Sequence, residues 1–158
     1  MAQMTYLDHN ATTSVYPEVV EVVSEVMRLS GSNPSSIYGA GREARKRVEN
    51  ARDAIATLVN AKTDEVIFTG SGSEADNMAI MGSGRNRVLV GETEHSAVLK
   101  TALLRTGNSQ LLPVSKEGII ELGALETLLE EREGPALVCV MAANNETGVL
   151  QPVRDVAD

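Results

Sequence analysis

The chain is short of three things, and each shortage closes a route. It has a single cysteine, Cys139, so no internal disulfide can staple the fold. The setting of that cysteine, Ala136-Leu137-Val138-Cys139-Val140-Met141, predicts a buried, inert thiol in a reducing compartment. No apolar stretch approaches the ~18 residues of a membrane span, and Met1-Ala2-Gln3-Met4-Thr5-Tyr6 lacks the basic start and apolar core of a secretory leader. A soluble, cytoplasmic protein with no membrane partner is therefore expected. Basic residues are also scarce: 14 Lys and Arg against 22 Asp and Glu give a net charge of −8 and a pI near 4.8. That balance argues against nucleic acid as a partner, because a phosphate backbone needs a basic surface. The local cluster Arg42, Arg45, Lys46, Arg47 and Arg52 reads as a solvated helix face, with a partner-docking patch as the alternative.

What is present suffices for one ordinary core, since 42% of the 158 residues are hydrophobic and 23% charged. A polar opening, Thr5 to Thr13, runs to Pro17, which suits the first turn of a helix carrying Val19, Val20, Val22, Val23, Val26 and Met27. Gly31-Ser32-Asn33-Pro34-Ser35-Ser36 interrupts the pattern, and from Gly41 the positions Ala44, Val48, Ala51, Ile55 and Leu58 define a long amphipathic helix ending near Asn60-Ala61. Strands are then predicted at Val66–Thr69, Arg87–Val90, Gln110–Val114 and Ala136–Met141, alternating with helices after Ser73, over Ala97–Arg105 and over Leu122–Leu129. Such alternation predicts an α/β fold with a mostly parallel sheet and helices on both faces. Ligands in these sheets sit beyond the carboxyl ends of the strands, which picks out Ser71–Ser73, Glu94-His95 and Asn144-Asn145.

The first of these loops, Thr69-Gly70-Ser71-Gly72-Ser73, joins a predicted strand to a predicted helix. Its backbone N–H groups and the positive end of the helix dipole favour an anion, with Ser71 and Ser73 adding hydroxyls. Neither the dinucleotide fingerprint nor the P-loop pattern is present, because no third glycine and no lysine follow. The residues alone also fit a plain turn with Ser73 as N-cap.

Five blocks in order, Tyr6-Leu7-Asp8-His9-Asn10-Ala11-Thr12-Thr13, Asn33-Pro34-Ser35-Ser36, Phe68 to Asn77, Glu92-Thr93-Glu94-His95-Ser96-Ala97-Val98 and Asn144-Asn145-Glu146-Thr147-Gly148, resemble cysteine desulfurases of the class V, fold-type I family. The resemblance implies pyridoxal 5′-phosphate (PLP) as cofactor, L-cysteine as substrate and L-alanine as product, with sulfur passing through an enzyme persulfide toward an acceptor or scaffold protein, as in iron–sulfur cluster assembly. It implies that Gly72 and Ser73 hold the cofactor phosphate, that His95 stacks on the pyridine ring and moves protons, that Asn145 bonds the ring hydroxyl oxygen, and that Asn33 approaches the substrate carboxylate. No metal site is expected. Residues 1–15 correspond to a segment of the family's small domain, and 16–158 to an incomplete PLP-binding large domain.

The family's later aspartate for the pyridinium nitrogen, its Schiff-base lysine in Ser-Gly-His-Lys and its persulfide cysteine have no counterpart before Asp158. Lys46, Lys62, Lys100 and Lys116 lie outside any such motif. The expectation is therefore an N-terminal part of a desulfurase, inactive alone, that forms a homodimer or joins a complementing C-terminal chain. Another class V aminotransferase or lyase fragment, or a non-catalytic interaction protein built on the fold, is the alternative.

Overall fold

The computed structural model describes residues 5–29, 33–104 and 108–158, which form two compact units divided after Phe68. Gly31, Ser32 and Arg105, included in the predicted elements, lie outside the described residues, as do residues 1–4.

In the first unit, α1 (Pro17–Arg28) and α2 (Gly39–Leu58) match the predicted helices. Pro17 occupies the first turn of α1, where its missing N–H costs nothing, and Glu18 and Arg28 complement the two ends of the dipole. Helix α2 stops because Asn60 adopts φ 55°. This left-handed residue lets Ala61 N–H reach the Ala56 carbonyl at 2.8 Å and Asn60 N–H the Thr57 carbonyl at 3.3 Å. Arg47 of α2 pairs with Glu25 of α1 at 3.2 Å.

One predicted element is absent: Val66–Thr69 forms no strand. A β-branched run makes a strand only when a neighbour takes its backbone groups. Among the described residues no strand pairs with it. Instead Arg52 of α2 donates to the Val66 carbonyl and lies over the Phe68 ring, 5.0 Å from its centroid.

The second unit is organised by a three-stranded parallel sheet in the order β2-β1-β3, with β1 spanning Arg87–Gly91, β2 Ser109–Leu112 and β3 Ala136–Cys139. Its helices are α3 (Gly72–Gly82), α4 (Ser96–Leu103), α5 (Leu122–Glu130) and α6 (Val153–Ala157). Strand β1 lies between the other two and alternates between two cores. Val88 and Val90 pack with Ala102, Val98 and Leu99 of α4, whereas Leu89 packs with Leu112, Ile120, Leu125 and Val156 on the opposite face. Strand β2 ends one residue before Pro113, which has no N–H for the ladder. Strand β3 ends at Cys139, because the Met141 N–H turns to a side chain of the β1 loop.

The apolar stripe of α1 is uncovered in this structure: Val22 is 59% and Met27 80% exposed, and no residue of the helix is buried. A stripe of this kind favours association. The protein is expected to sediment as a dimer or larger species at micromolar concentration, and Val23→Glu is expected to shift it toward monomer. A compact wild-type monomer at that concentration would contradict the expectation.

Candidate functional site

The carboxyl ends of β1 and β3 carry the predicted loops, and two side chains bind these loops together. Glu94 Oε1 accepts the Met141 N–H at 2.6 Å, and Asn144 Nδ2 donates to the Thr93 carbonyl at 2.9 Å. Asn144 is only 7% exposed. Its Oδ1 also accepts the N–H groups of Glu146 and Thr147, each at 2.9 Å, closing a turn that needs Gly148 at φ 75°. The turn-forming role thus belongs to Asn144, leaving its neighbour Asn145 on the exposed side, with Nδ2 donating to Glu146 Oε1 at 3.2 Å.

His95 is the N-cap of α4. Its Nδ1 accepts the Ala97 N–H at 3.2 Å, which in the neutral ring leaves the proton on Nε2. The cap fixes the ring at the start of the helix, exposed and beside a cleft of about 460 Å³ that Asp76, Ile80, Glu94, Cys139 and Met141 also line. Burial pushes the Glu94 carboxyl above the usual carboxylate range; the Met141 N–H pulls it back and the charge of Asp76 raises it further.

At the start of α3 the N-cap is Ser71, not Ser73: the Ser71 hydroxyl oxygen accepts the Glu74 N–H at 3.2 Å. Glu74 Oε2 in turn accepts the Gly70 N–H at 2.6 Å. The N–H groups of Ser71, Gly72 and Ser73 meet no acceptor among the described residues. Apart from its chain neighbours and its own helix turn, nothing lies within 4 Å of where a Cβ on Gly72 would stand, and its φ is not in the left-handed range. Neither neighbours nor backbone therefore demand the glycine, and the free N–H groups with the Ser73 hydroxyl make a donor set suited to a phosphate. Gly72, Ser73 and Asn145 do not themselves line the 460 Å³ cleft; α3 contributes to it through Asp76, Ala79 and Ile80.

Comparison with known proteins decides the family. The Aminotransferase class-V model matches residues 5–158. The chain belongs to that family. Over 98% of its length this class-V chain is 38% identical to an IscS-like cysteine desulfurase of Mycobacterium tuberculosis, and over 98% it is 40% identical to a cysteine desulfurase of Frankia. The NifS-like protein of Rickettsia africae superposes with a TM-score of 0.86 at 32% identity over 98% of this chain. DndA of Streptomyces lividans superposes over 97% with a TM-score of 0.74 at 34% identity. The class-V chain spans about two fifths of these relatives: 42% of the first, 41% of the second, 44% and 45% of the two structures.

Asn33 belongs to the first unit of this class-V chain. Its Oδ1 accepts the Ser35 N–H at 2.8 Å and its carbonyl the Ser36 N–H at 3.0 Å. The loop is pressed against α2 at Gly41, where a Cβ would lie 2.3 Å from the Ser36 carbonyl oxygen and 2.8 Å from that of Asn33. Sequence reasoning took Gly41 only as the start of a helix; a buried glycine beside the Asn-Pro-Ser-Ser turn is the signal it carried. Gly41→Ala is expected to displace this loop and cost about 1–3 kcal/mol as an overpacked site. Urea unfolding followed by tyrosine fluorescence reads this unit selectively, since the chain has no tryptophan and Tyr6, Tyr16 and Tyr38 all lie in it.

Cys139 differs from the expected buried thiol in being half-buried, because β3 has a ladder partner on one side only among the described residues. Its pKa is nevertheless pushed up to about 11, by burial first and then by the charges of Glu94 and Asp76. At about pH 8 roughly one such thiol in a thousand is ionised. Alkylation by iodoacetamide should therefore be slow in the native protein, fast in urea, and should climb in the native protein only as the pH approaches the thiol's pKa. Rapid native labelling near neutral pH would contradict this.

Proposed function

We propose that this chain forms the PLP-facing part of a cysteine desulfurase, whose complete reaction removes sulfur from L-cysteine and leaves L-alanine. The observation that carries the reading is the fixed placement of His95, capped on α4 beside a cleft at the carboxyl ends of β1 and β3, in a chain similar to desulfurases along nearly its whole length.

On this reading the Gly72 and Ser73 N–H groups and the Ser73 hydroxyl hold the PLP phosphate, and Asn145 donates to the ring hydroxyl oxygen. The donor set at α3 supports the first assignment, because backbone N–H groups at a helix N-terminus suit a phosphate without a basic side chain. His95 covers the ring and moves a proton at Nε2, the nitrogen that its cap leaves free. Asn33 receives the substrate carboxylate. When bound, PLP supplies the electron sink for charge developing at the substrate Cα. Cys139, at the end of a strand and with its thiol pushed up in pKa, is a poor sulfur acceptor.

The reading places the Schiff-base lysine, the ring-nitrogen aspartate and the persulfide cysteine in the three fifths of the relatives' length that this chain does not span. Residues 1–15 would belong to the small domain and 16–158 to the large one. The partners proposed are a second copy or a complementing chain, and an acceptor protein for the sulfur. A non-catalytic scaffold is less favoured, because the donors at Gly72 and Ser73 and the capped His95 both suit a cofactor site.

The chain alone, given PLP and L-cysteine, is expected to release no sulfide or alanine above a free-PLP control, and borohydride is expected to fix no single lysine stoichiometrically. Adding a polypeptide with the missing aspartate, lysine and cysteine should restore release. His95→Ala should then lower it by about 10²–10⁴-fold, the usual worth of a positioned acid–base group, while the chains still associate. Turnover by this chain alone that is indifferent to His95 would overturn both the site and the reading.

A further inference from the structure

The link between Glu94 and Met141 joins positions 47 residues apart. Glu94 stands immediately before the N-cap of α4, in a turn closed by its own N–H on the Gly91 carbonyl at 3.2 Å. Space for its side chain is made by β1 itself: a Cβ on Gly91 would lie 3.3 Å from Glu94 Oε1 and 3.4 Å from its Cγ. The carboxylate is therefore packed on the last residue of one strand while it accepts the Met141 N–H just beyond the end of its neighbour.

From this geometry we propose that Glu94 is a positioning residue: its carboxylate, seated on the Met141 N–H, fixes the turn that carries His95 against the end of β3, so that His95 and Asn145 act on one ligand. The proposal rests on the PLP reading given above. Asn144, bonded to the Thr93 carbonyl, is the second brace of the same junction, but most of its bonds close its own turn. Among the described residues, only Glu94 reaches from the His95 turn to the backbone just after β3 through a side chain. The acid is kept although half-burial and Asp76 both disfavour its charge, and a charged acceptor holds an N–H more firmly than a neutral one. No Lys or Arg among the cleft-lining residues offsets that cost.

The test compares Glu94→Gln, which retains an oxygen acceptor at the same reach, with Glu94→Ala, which leaves the Met141 N–H without one. Amide exchange at Met141 is expected to accelerate at least about tenfold in E94A and to stay within about threefold of wild type in E94Q, as local opening is read by exchange. PLP affinity, followed by absorbance titration of the full chain, should fall in E94A and be largely kept in E94Q. In a His95→Ala background the further loss on E94A should shrink, because two residues acting through one another do not add. Unchanged Met141 exchange in E94A overturns the brace. Equal loss of PLP affinity in E94A and E94Q, or full additivity with His95→Ala, overturns the positioning role. Failure of the wild-type chain to bind PLP would overturn the cofactor reading, and the proposal with it as a statement about that ligand, whereas the exchange data would still separate a real brace from none.

Discussion

Burial of β1 on both faces is the constraint from which the rest of the second unit follows. Val88, Leu89 and Val90 are completely inaccessible. A fully buried side chain of this size is worth about 1.5–3 kcal/mol, and successive residues point to opposite sides. One short strand thus secures α4 on one face and α5 with α6 on the other. Because all three strands run parallel, their carboxyl ends are delivered to a single side of the sheet, and the polar loops that follow have nowhere else to be. Arg87 completes the arrangement at the opposite end of β1, donating to the Leu128 and Arg132 carbonyls at the close of α5.

This is why much of the fold is legible in the sequence. Val88-Leu89-Val90 and Ala136 to Cys139 are uniformly apolar because both faces are covered, and the helical spacing in α2 and α5 repeats every turn. What is not legible is whether a strand has a partner. Val66–Thr69 has the right residues, but Arg52 takes the Val66 carbonyl and stacks on Phe68, so composition and pairing part company there. The carboxyl ends of β2 and β3 each fall two residues short of expectation for local reasons: a proline without an N–H at 113, and a carboxylate at 94 that takes the Met141 N–H.

The candidate site divides in the same way. The loops carrying His95 and Asn145 are legible from topology alone, since each follows a strand. The roles of Asn144 and Glu94 are not, because each depends on a side chain meeting backbone about 50 residues away, a distance over which neither periodicity nor spacing carries information. The doubled asparagine concealed a division of labour: one member is buried and builds the turn, and the other is exposed. Gly41 was hidden differently, by looking like an ordinary helix position when its missing Cβ is what admits the Ser36 carbonyl.

If this acidic chain holds the phosphate of PLP, as proposed, it faces an electrostatic difficulty. The net charge is −8, Asp76 and Glu94 flank the cleft, and Glu74 sits on the Gly70 N–H. With no Lys or Arg among the described lining residues, attraction has to come from oriented backbone N–H groups at the start of α3, whose partial charges act only over about the first turn. Short-range donors reward geometry rather than proximity. A lysine on a flexible stem tolerates a displaced neighbour, whereas a set of N–H groups does not. On the proposed reading, the braces at Asn144 and Glu94 within the second unit are then more than incidental packing. They supply the fixed geometry on which short-range donors depend.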